Sequence, residues 1–162
     1  MSTHAAVATS TDEAYQLAFE AHWNEVFRIA LAWTNDWAAA EDLTQDAYLR
    51  LWRSRGALDW ERPLLPWLLV TTRRLATDRF RALRRRVLTA RMAAPASLDE
   101  AIRDRWLDVQ RSMSRLSPLE RTALVLTAIE GATYTDAAAT LGTSAGALRA
   151  AVSRAREKLE AE

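Results

Sequence analysis

Cysteine is absent from this chain, which excludes disulfides and thiolate metal sites and fits a reducing compartment. Histidine occurs only as His4, in the N-terminal tail, and His22, inside a helical pattern where a surface or packing role suits it. There is no phosphate-cradling Gly-rich loop, no HExxH and no nucleophile elbow. Acidic pairs such as Glu41-Asp42 have no supporting groups around them, so the sequence points to no enzyme, no metal site and no cofactor. Only four glycines and four prolines interrupt long Ala/Leu/Arg/Glu runs, and no alternating pattern with hairpin turns is present, so the fold class is all-α. No run approaches about 18 uncharged apolar residues, the length a membrane span requires. Residues 1–10 have neither a basic region nor an apolar core, so no signal peptide is expected and the expected location is cytoplasmic.

What is present is unevenly placed. Residues 1–72 hold five arginines against ten acidic residues, residues 73–91 hold eight arginines against one aspartate, and residues 92–162 are close to balanced. A basic block between acidic flanks suggests one face for an anion and another for a different partner. Lys158 is the only lysine among 22 basic residues, as codon bias in a GC-rich genome would produce.

Periodicity divides the chain into two small helical domains. Residues 1–11 read as a disordered tail. A first helix is expected from Asp12 to Thr34, carrying Phe19, Trp23, Val26, Phe27, Ala30 and Leu31 at helical spacing. Asp36 caps a second, from Trp37 to Arg53, with Leu43, Ala47 and Leu51 in one stripe. After a loop over 57–63, a third starts at Pro63 or Pro66 and runs to Arg86, with its basic half near the negative end of the helix dipole. Residues 87–97 lack periodicity and read as a linker. A helix over 98–115 follows. Ser117, Pro118 and Glu120 then form a capping box for a helix that ends at Gly131. The predicted domains are thus 12–86 and 98–162.

The last 30 residues are the most informative. A short helix from Thr133 to Leu141, a turn at Gly142 and a longer helix capped by Ser144 follow the helix-turn-helix order. On the last helix, Leu148, Val152, Ala155 and Leu159 form a narrow apolar stripe. Gly146, Ala150 and Ser153 lie opposite, among Arg149, Arg154, Arg156 and Lys158. Small residues let such a helix enter a major groove about 12 Å wide, where arginines reach phosphates or guanine edges. The same small residues would also serve close packing in a bundle that binds no DNA.

Two further stretches stand out. In AEDLTQDAYLRLW, Asp42, Gln45, Asp46 and Leu49 share one helix face, either a solvated surface or a docking site for a partner helix. In WLLVTTRRLATDRFRALRRR, arginines surround a helix whose Trp67, Leu68 and Leu75 face inward. Such a helix suits nucleic acid more than an anionic membrane, given the helix-turn-helix beside it. Six of the seven tryptophans precede residue 68, as core residues would. Trp60 sits in the loop beside the basic helix, where it could pack or stack on an unpaired base.

Taken in order, these blocks resemble an RNA polymerase sigma factor of the extracytoplasmic-function (ECF) group, sigma-70 family. AEDLTQDAYLRLW resembles region 2.2, WLLVTTRRLATDRFRALRRR regions 2.3 and 2.4, and LSPLERTALVLTAIEGATYTDAAATLGTSAGALRAAVSRAREKL region 4. The resemblance implies core RNA polymerase as partner, with Asp42, Gln45, Asp46 and Leu49 on its β′ clamp helices and the C-terminal domain on its β flap. It implies promoter DNA as a second partner. Trp60, Arg73, Arg74, Asp78, Arg79, Arg81, Arg84 and Arg85 would lie at the −10 element, and Ser144, Gly146, Arg149, Ala150, Ser153 and Arg154 at the −35 element. It leaves room for an anti-sigma factor, and assigns no catalytic residue and no membrane insertion. The chain departs from the family pattern at Arg74, Pro66, Thr143, Ala147 and Ala151. Two rivals stay open on sequence: a free-standing helix-turn-helix regulator and an adaptor that binds no DNA.

Overall fold

The structure is a computed structural model describing residues 3–84 and 99–161, with side chains over 11–82 and 99–161. Helix α1 spans Thr3–Thr34. Its backbone is helical from Thr3, ahead of the start expected at Asp12, as the helix propensity of the alanine-rich stretch there allows. Asn35 ends it at φ 52°, a left-handed position that asparagine tolerates, with its amide on Leu31 O at 2.7 Å.

Asp36 opens α2 (Trp37–Ser54) as expected, accepting the Ala39 amide at 2.7 Å. The helix buries Ala40, Leu43, Thr44, Ala47, Tyr48 and Leu51. That stripe recurs every three to four residues, so it stays on one side of the helix. Helix α3 (Leu65–Arg84) carries Pro66 in its first turn, where the missing N–H has no intrahelical partner to lose. It buries Leu68, Leu69, Thr71, Thr72 and Ala76. These three helices pack pairwise on one another.

The expected linker at 87–97 lies outside the described residues. Helix α4 (Glu100–Ser114) is capped by Asp99. Ser117 and Glu120 then form the expected capping box at the start of α5 (Pro118–Leu124). This helix widens at once into a π-helical turn, Val125–Ile129, whose Glu130 amide donates to Val125 O at 3.0 Å. Gly131, at φ 68°, ends it. Helix α6 (Tyr134–Leu141) begins at Thr133 and ends at Gly142, φ 64°. Helix α7 (Ala145–Glu160) is capped by Ser144. Among the described residues there is no strand, and no helix is long and apolar enough to cross a membrane.

The two halves share one core. Ile29, Leu51 and Leu68 from the first three helices join Ala123, Leu126, Leu141 and Leu148 from the last three in a single apolar cluster. A smaller cluster of Ala30, Ala40, Leu43 and Ala76 lies within the first half. Leu148 is fully buried at the helix-turn-helix contact. We expect Leu148→Ala to cost about 2–5 kcal/mol in denaturant unfolding, while Ala147→Ser on the exposed side shifts it by less than about 0.5 kcal/mol.

Candidate nucleic-acid and polymerase interfaces

Helices α6 and α7, joined through Gly142, form the expected helix-turn-helix. Leu148, Ala151, Val152 and Ala155 face the core. Gly146, Ala147, Arg149, Ala150 and Ser153 are exposed, so the small-residue face is a surface. Ser144 is exposed too, and its hydroxyl accepts the Ala147 amide at 3.1 Å. The Arg149 guanidinium lies 5.3 Å from the Tyr134 ring centroid, within cation–π range, so α6 helps hold it beside the exposed face.

Arg154 is less available than its neighbours. It donates to Glu120 Oε1 at 3.3 Å, and Lys158 donates to Glu120 Oε2 at 2.8 Å. Glu120 is therefore more than a capping residue: its buried carboxylate joins the start of α5 to the C-terminal half of α7. Burial pushes its pKa up, but hydrogen bonds from Lys158, the Ser117 amide and Arg154 outweigh that and hold it down to about 2.

On α3 the residues expected at DNA fall into three situations. Arg74, Asp78 and Arg81 are exposed. Arg79 pairs with Asp46 at 2.6 Å, so one residue expected at DNA is tied to one expected at the polymerase. Arg73 is half-buried and reaches the end of α6, with Nη1 at 3.5 Å from Leu141 O. Arg84 closes α3 with its side chain outside the described residues, as is all of Arg85. Trp60 is half-buried, packs against the main core and donates its indole N–H to Arg55 O at 2.9 Å.

On α2, Asp42 and Gln45 are exposed beside Leu49, a large apolar side chain left 49% exposed.

Sequence reasoning missed the residues that join the halves. Arg121 is buried and donates to Ala32 O at 2.6 Å, Trp33 O at 3.0 Å, Leu116 O at 2.6 Å and Met113 O at 3.3 Å. Asn35 and Gln110, both buried, exchange side-chain-to-backbone bonds at 3.2 and 2.7 Å. Arg28 pairs with Glu130 through two hydrogen bonds. These cross-half bonds join residues far apart in the chain, so none left a local trace in the sequence.

Comparison with known proteins agrees with this layout. Residues 18–86 match the family model for sigma-70 region 2, and residues 106–159 match that for sigma-70, region 4. The probable RNA polymerase sigma-C factor of Mycobacterium bovis is 31% identical over 160 residues, covering 96% of this chain and 86% of that protein. The chain belongs to the sigma-70 family, ECF group. The sigma factor CarQ of Myxococcus xanthus is 32% identical, covering 91% of this chain and 87% of CarQ. The probable sigma factor RfaY of Xanthomonas campestris is 36% identical, but the chain spans only 42% of its length. Among solved structures, CnrH in complex with the cytosolic domain of CnrY superposes with a TM-score of 0.70 at 25% identity, over 97% of this chain and 92% of that one. The sigma factor RpoE of Bartonella quintana, in complex with the anti-sigma factor NepR, shares the fold with a TM-score of 0.72 at 22% identity, over 90% of this chain and 94% of that one.

The depressed Glu120 pKa has a direct consequence for this sigma-70 chain. A carboxylate whose folded pKa lies below its unfolded value contributes stability that is complete above about pH 4.5. That contribution is lost as pH falls from there through about 2. Chemical denaturation between pH 6 and 2.5 should therefore show a steeper acid loss in the parent chain than in Glu120→Gln.

Proposed function

We propose that this chain is a dissociable initiation factor that binds core RNA polymerase and directs it to promoters carrying −35 and −10 elements. The observation that carries the reading is the pair of sigma-70 regions, in order, on a fold whose last helix exposes small residues and Arg149. Residues 12–86 act as the domain that meets the β′ clamp helices through Asp42, Gln45, Asp46 and Leu49. The same domain follows the −10 element with Trp60, Arg74, Asp78, Arg81, Arg84 and Arg85. Residues 98–162 read the −35 element from Ser144, Gly146, Arg149, Ala150 and Ser153, with Arg154 on a flanking phosphate, and contact the β flap. The chain does no chemistry of its own; the polymerase supplies the active site, in the cytoplasm. The sigma factor RpoE, solved with the anti-sigma factor NepR, shares its fold, which supports an anti-sigma factor as a third partner.

Competition against a housekeeping sigma factor for core polymerase, over a salt series, tests this reading. Saturable displacement supports it, and no binding by the folded chain removes it. In the same assay Asp42→Arg should weaken core binding at least about tenfold, since each 1.4 kcal/mol lost at the docking face is a factor of ten. Unchanged affinity would move the polymerase site elsewhere.

Arg149→Ala should weaken binding to cognate −35 DNA by about 1–3 kcal/mol and relax preference at one base pair. A loss of equal size on every sequence would make Arg149 a phosphate contact.

A further inference from the structure

Arg149 and Arg154 stand on α7 five residues apart, about 140° around its axis at 3.6 residues per turn. Gly146, Ala150 and Ser153, all exposed, occupy the arc between them. The two arginines therefore edge the small-residue face, one on each side. Each edge is held from a different helix. Tyr134 of α6 faces the Arg149 guanidinium. Glu120 of α5 accepts from Arg154, through Nε, at 3.3 Å. Among the described residues the Nη pair of Arg154 has no protein acceptor, and the side chain is 53% exposed.

The carboxylate behind Arg154 is 5% exposed, too deep to meet DNA itself. Its second oxygen accepts the Ser117 amide and Lys158 Nζ, both at 2.8 Å. One buried anion thus carries two cations that reach the surface, and the cluster presents net positive charge outward. An arginine without such a tether has rotamer freedom to lose on binding. It also has a partner nearer than DNA: Glu157 is exposed and lies three residues on, within reach along the helix. The bond to Glu120 removes both losses. It fixes the guanidinium by the nitrogen nearest the stem and leaves unspent the forked end, the part that matches a phosphate bidentately.

We propose that Glu120 is a positioning residue for DNA binding: it holds Arg154 so that the Nη donors meet a backbone phosphate on the side of the groove away from Arg149. The proposal rests on the proposed function for DNA as the ligand of α7, and on the geometry of the Glu120 cluster for the rest. In a groove about 12 Å wide, a helix bracketed by two held arginines is fixed in roll as well as in depth. Glu120 touches no DNA and acts through Arg154 alone.

A phosphate contact operates on any sequence, so random-sequence duplex DNA serves as the probe. Binding of the full chain is followed by fluorescence anisotropy over a salt series, on variants shown folded by circular dichroism. Arg154→Ala should weaken binding about tenfold, as loss of a charge-assisted hydrogen bond does. It should also flatten the slope of log affinity against log salt by about 0.9, one phosphate's share of counterion release. Glu120→Gln decides the matter, because it removes a negative charge from beneath the helix. General electrostatics predicts tighter binding; positioning predicts a several-fold loss. Glutamine still completes a capping box, but its one oxygen is taken by the Ser117 amide and Lys158, and its NH2 turns a donor toward Arg154. With Arg154→Ala already in place, Glu120→Gln should cause no further loss. Ser117→Ala loosens the same helix start without touching Arg154 and should leave DNA affinity unchanged. Tighter or unchanged binding by Glu120→Gln, an equal loss in the Arg154→Ala background, an unaltered salt slope in Arg154→Ala, or no duplex binding by the parent chain at the lowest salt overturns the proposal. Competition for core polymerase is run on the same samples. A chain that competes but gives one of these outcomes keeps the proposed function and loses this role for Glu120. A chain that gives the expected outcomes but does not compete keeps the role and loses the proposed function.

Discussion

The Arg121 guanidinium is the group on which the arrangement of the two halves depends. It is 7% exposed and, among the described residues, no carboxylate hydrogen-bonds it, yet it donates to four backbone carbonyls. Burial lowers its pKa, and the neighbouring Glu120 charge opposes that. A buried cation costs several kcal/mol unless its donors are all engaged. Here they meet Ala32 O and Trp33 O at the end of α1, Leu116 O after α4, and Met113 O, which also accepts the Leu116 amide. Two sets of costly groups are thereby satisfied by one side chain. The bonds form only when α1, α4 and α5 converge, so they specify a geometry that apolar contact alone would leave loose. The apolar cluster shared by both halves supplies non-directional attraction, and Arg121 with the Asn35–Gln110 pair sets the register.

Charge is divided between holding the fold and meeting partners, and position along each helix decides which. Arg79, Arg121, Arg154 and Lys158 each have a protein acceptor within 3.3 Å. Arg74 and Arg81, on the same helix as Arg79, are exposed. The basic block from 73 to 91 is therefore not a uniform anion-binding stripe. Arg73 points to the other half, Arg79 is tied to α2, and the exposed face between them is narrower than a count of arginines suggests. Exposed pairs such as Arg79–Asp46 contribute little to stability, so the polymerase or DNA can exchange them at small cost.

Much of this was legible in the sequence because it is local. Caps at Asp36, Ser117, Thr133 and Ser144 depend on residues three positions apart, and each forms as the spacing predicts. The buried stripes of α2 and α7 follow from helical periodicity for the same reason. The start of α1 lies ahead of the expected Asp12 because an alanine-rich stretch without large apolar residues has helix propensity but no amphipathic signature. The contacts of Arg121 with α1 were illegible for a different reason. Arg121 reaches α1 across 88 and 89 residues of chain, and nothing near it in sequence distinguishes it from a solvated arginine. Glu120 was half-legible: its bond to the Ser117 amide could be read from spacing, and its bonds to Arg154 and Lys158 could not.

The smallness of α7 has two separate causes on two faces. Ala151 and Ala155 are fully buried, facing a side of α5 where Ala123 is fully buried too. Close approach of two helices requires small residues at the contact, so these alanines serve packing. An arginine at 151, as the family pattern often has, would need a wider α5–α7 spacing or a buried charge without a carboxylate to meet it. Gly146, Ala147 and Ala150 lie on the other face, where nothing in the fold demands smallness and where Arg149 stands beside them. The constraint on that face comes from outside the chain. A surface with its bulk removed around one held guanidinium has the shape to approach a rigid groove closely, which is what the proposed reading of the −35 element by Gly146, Arg149, Ala150 and Ser153 requires.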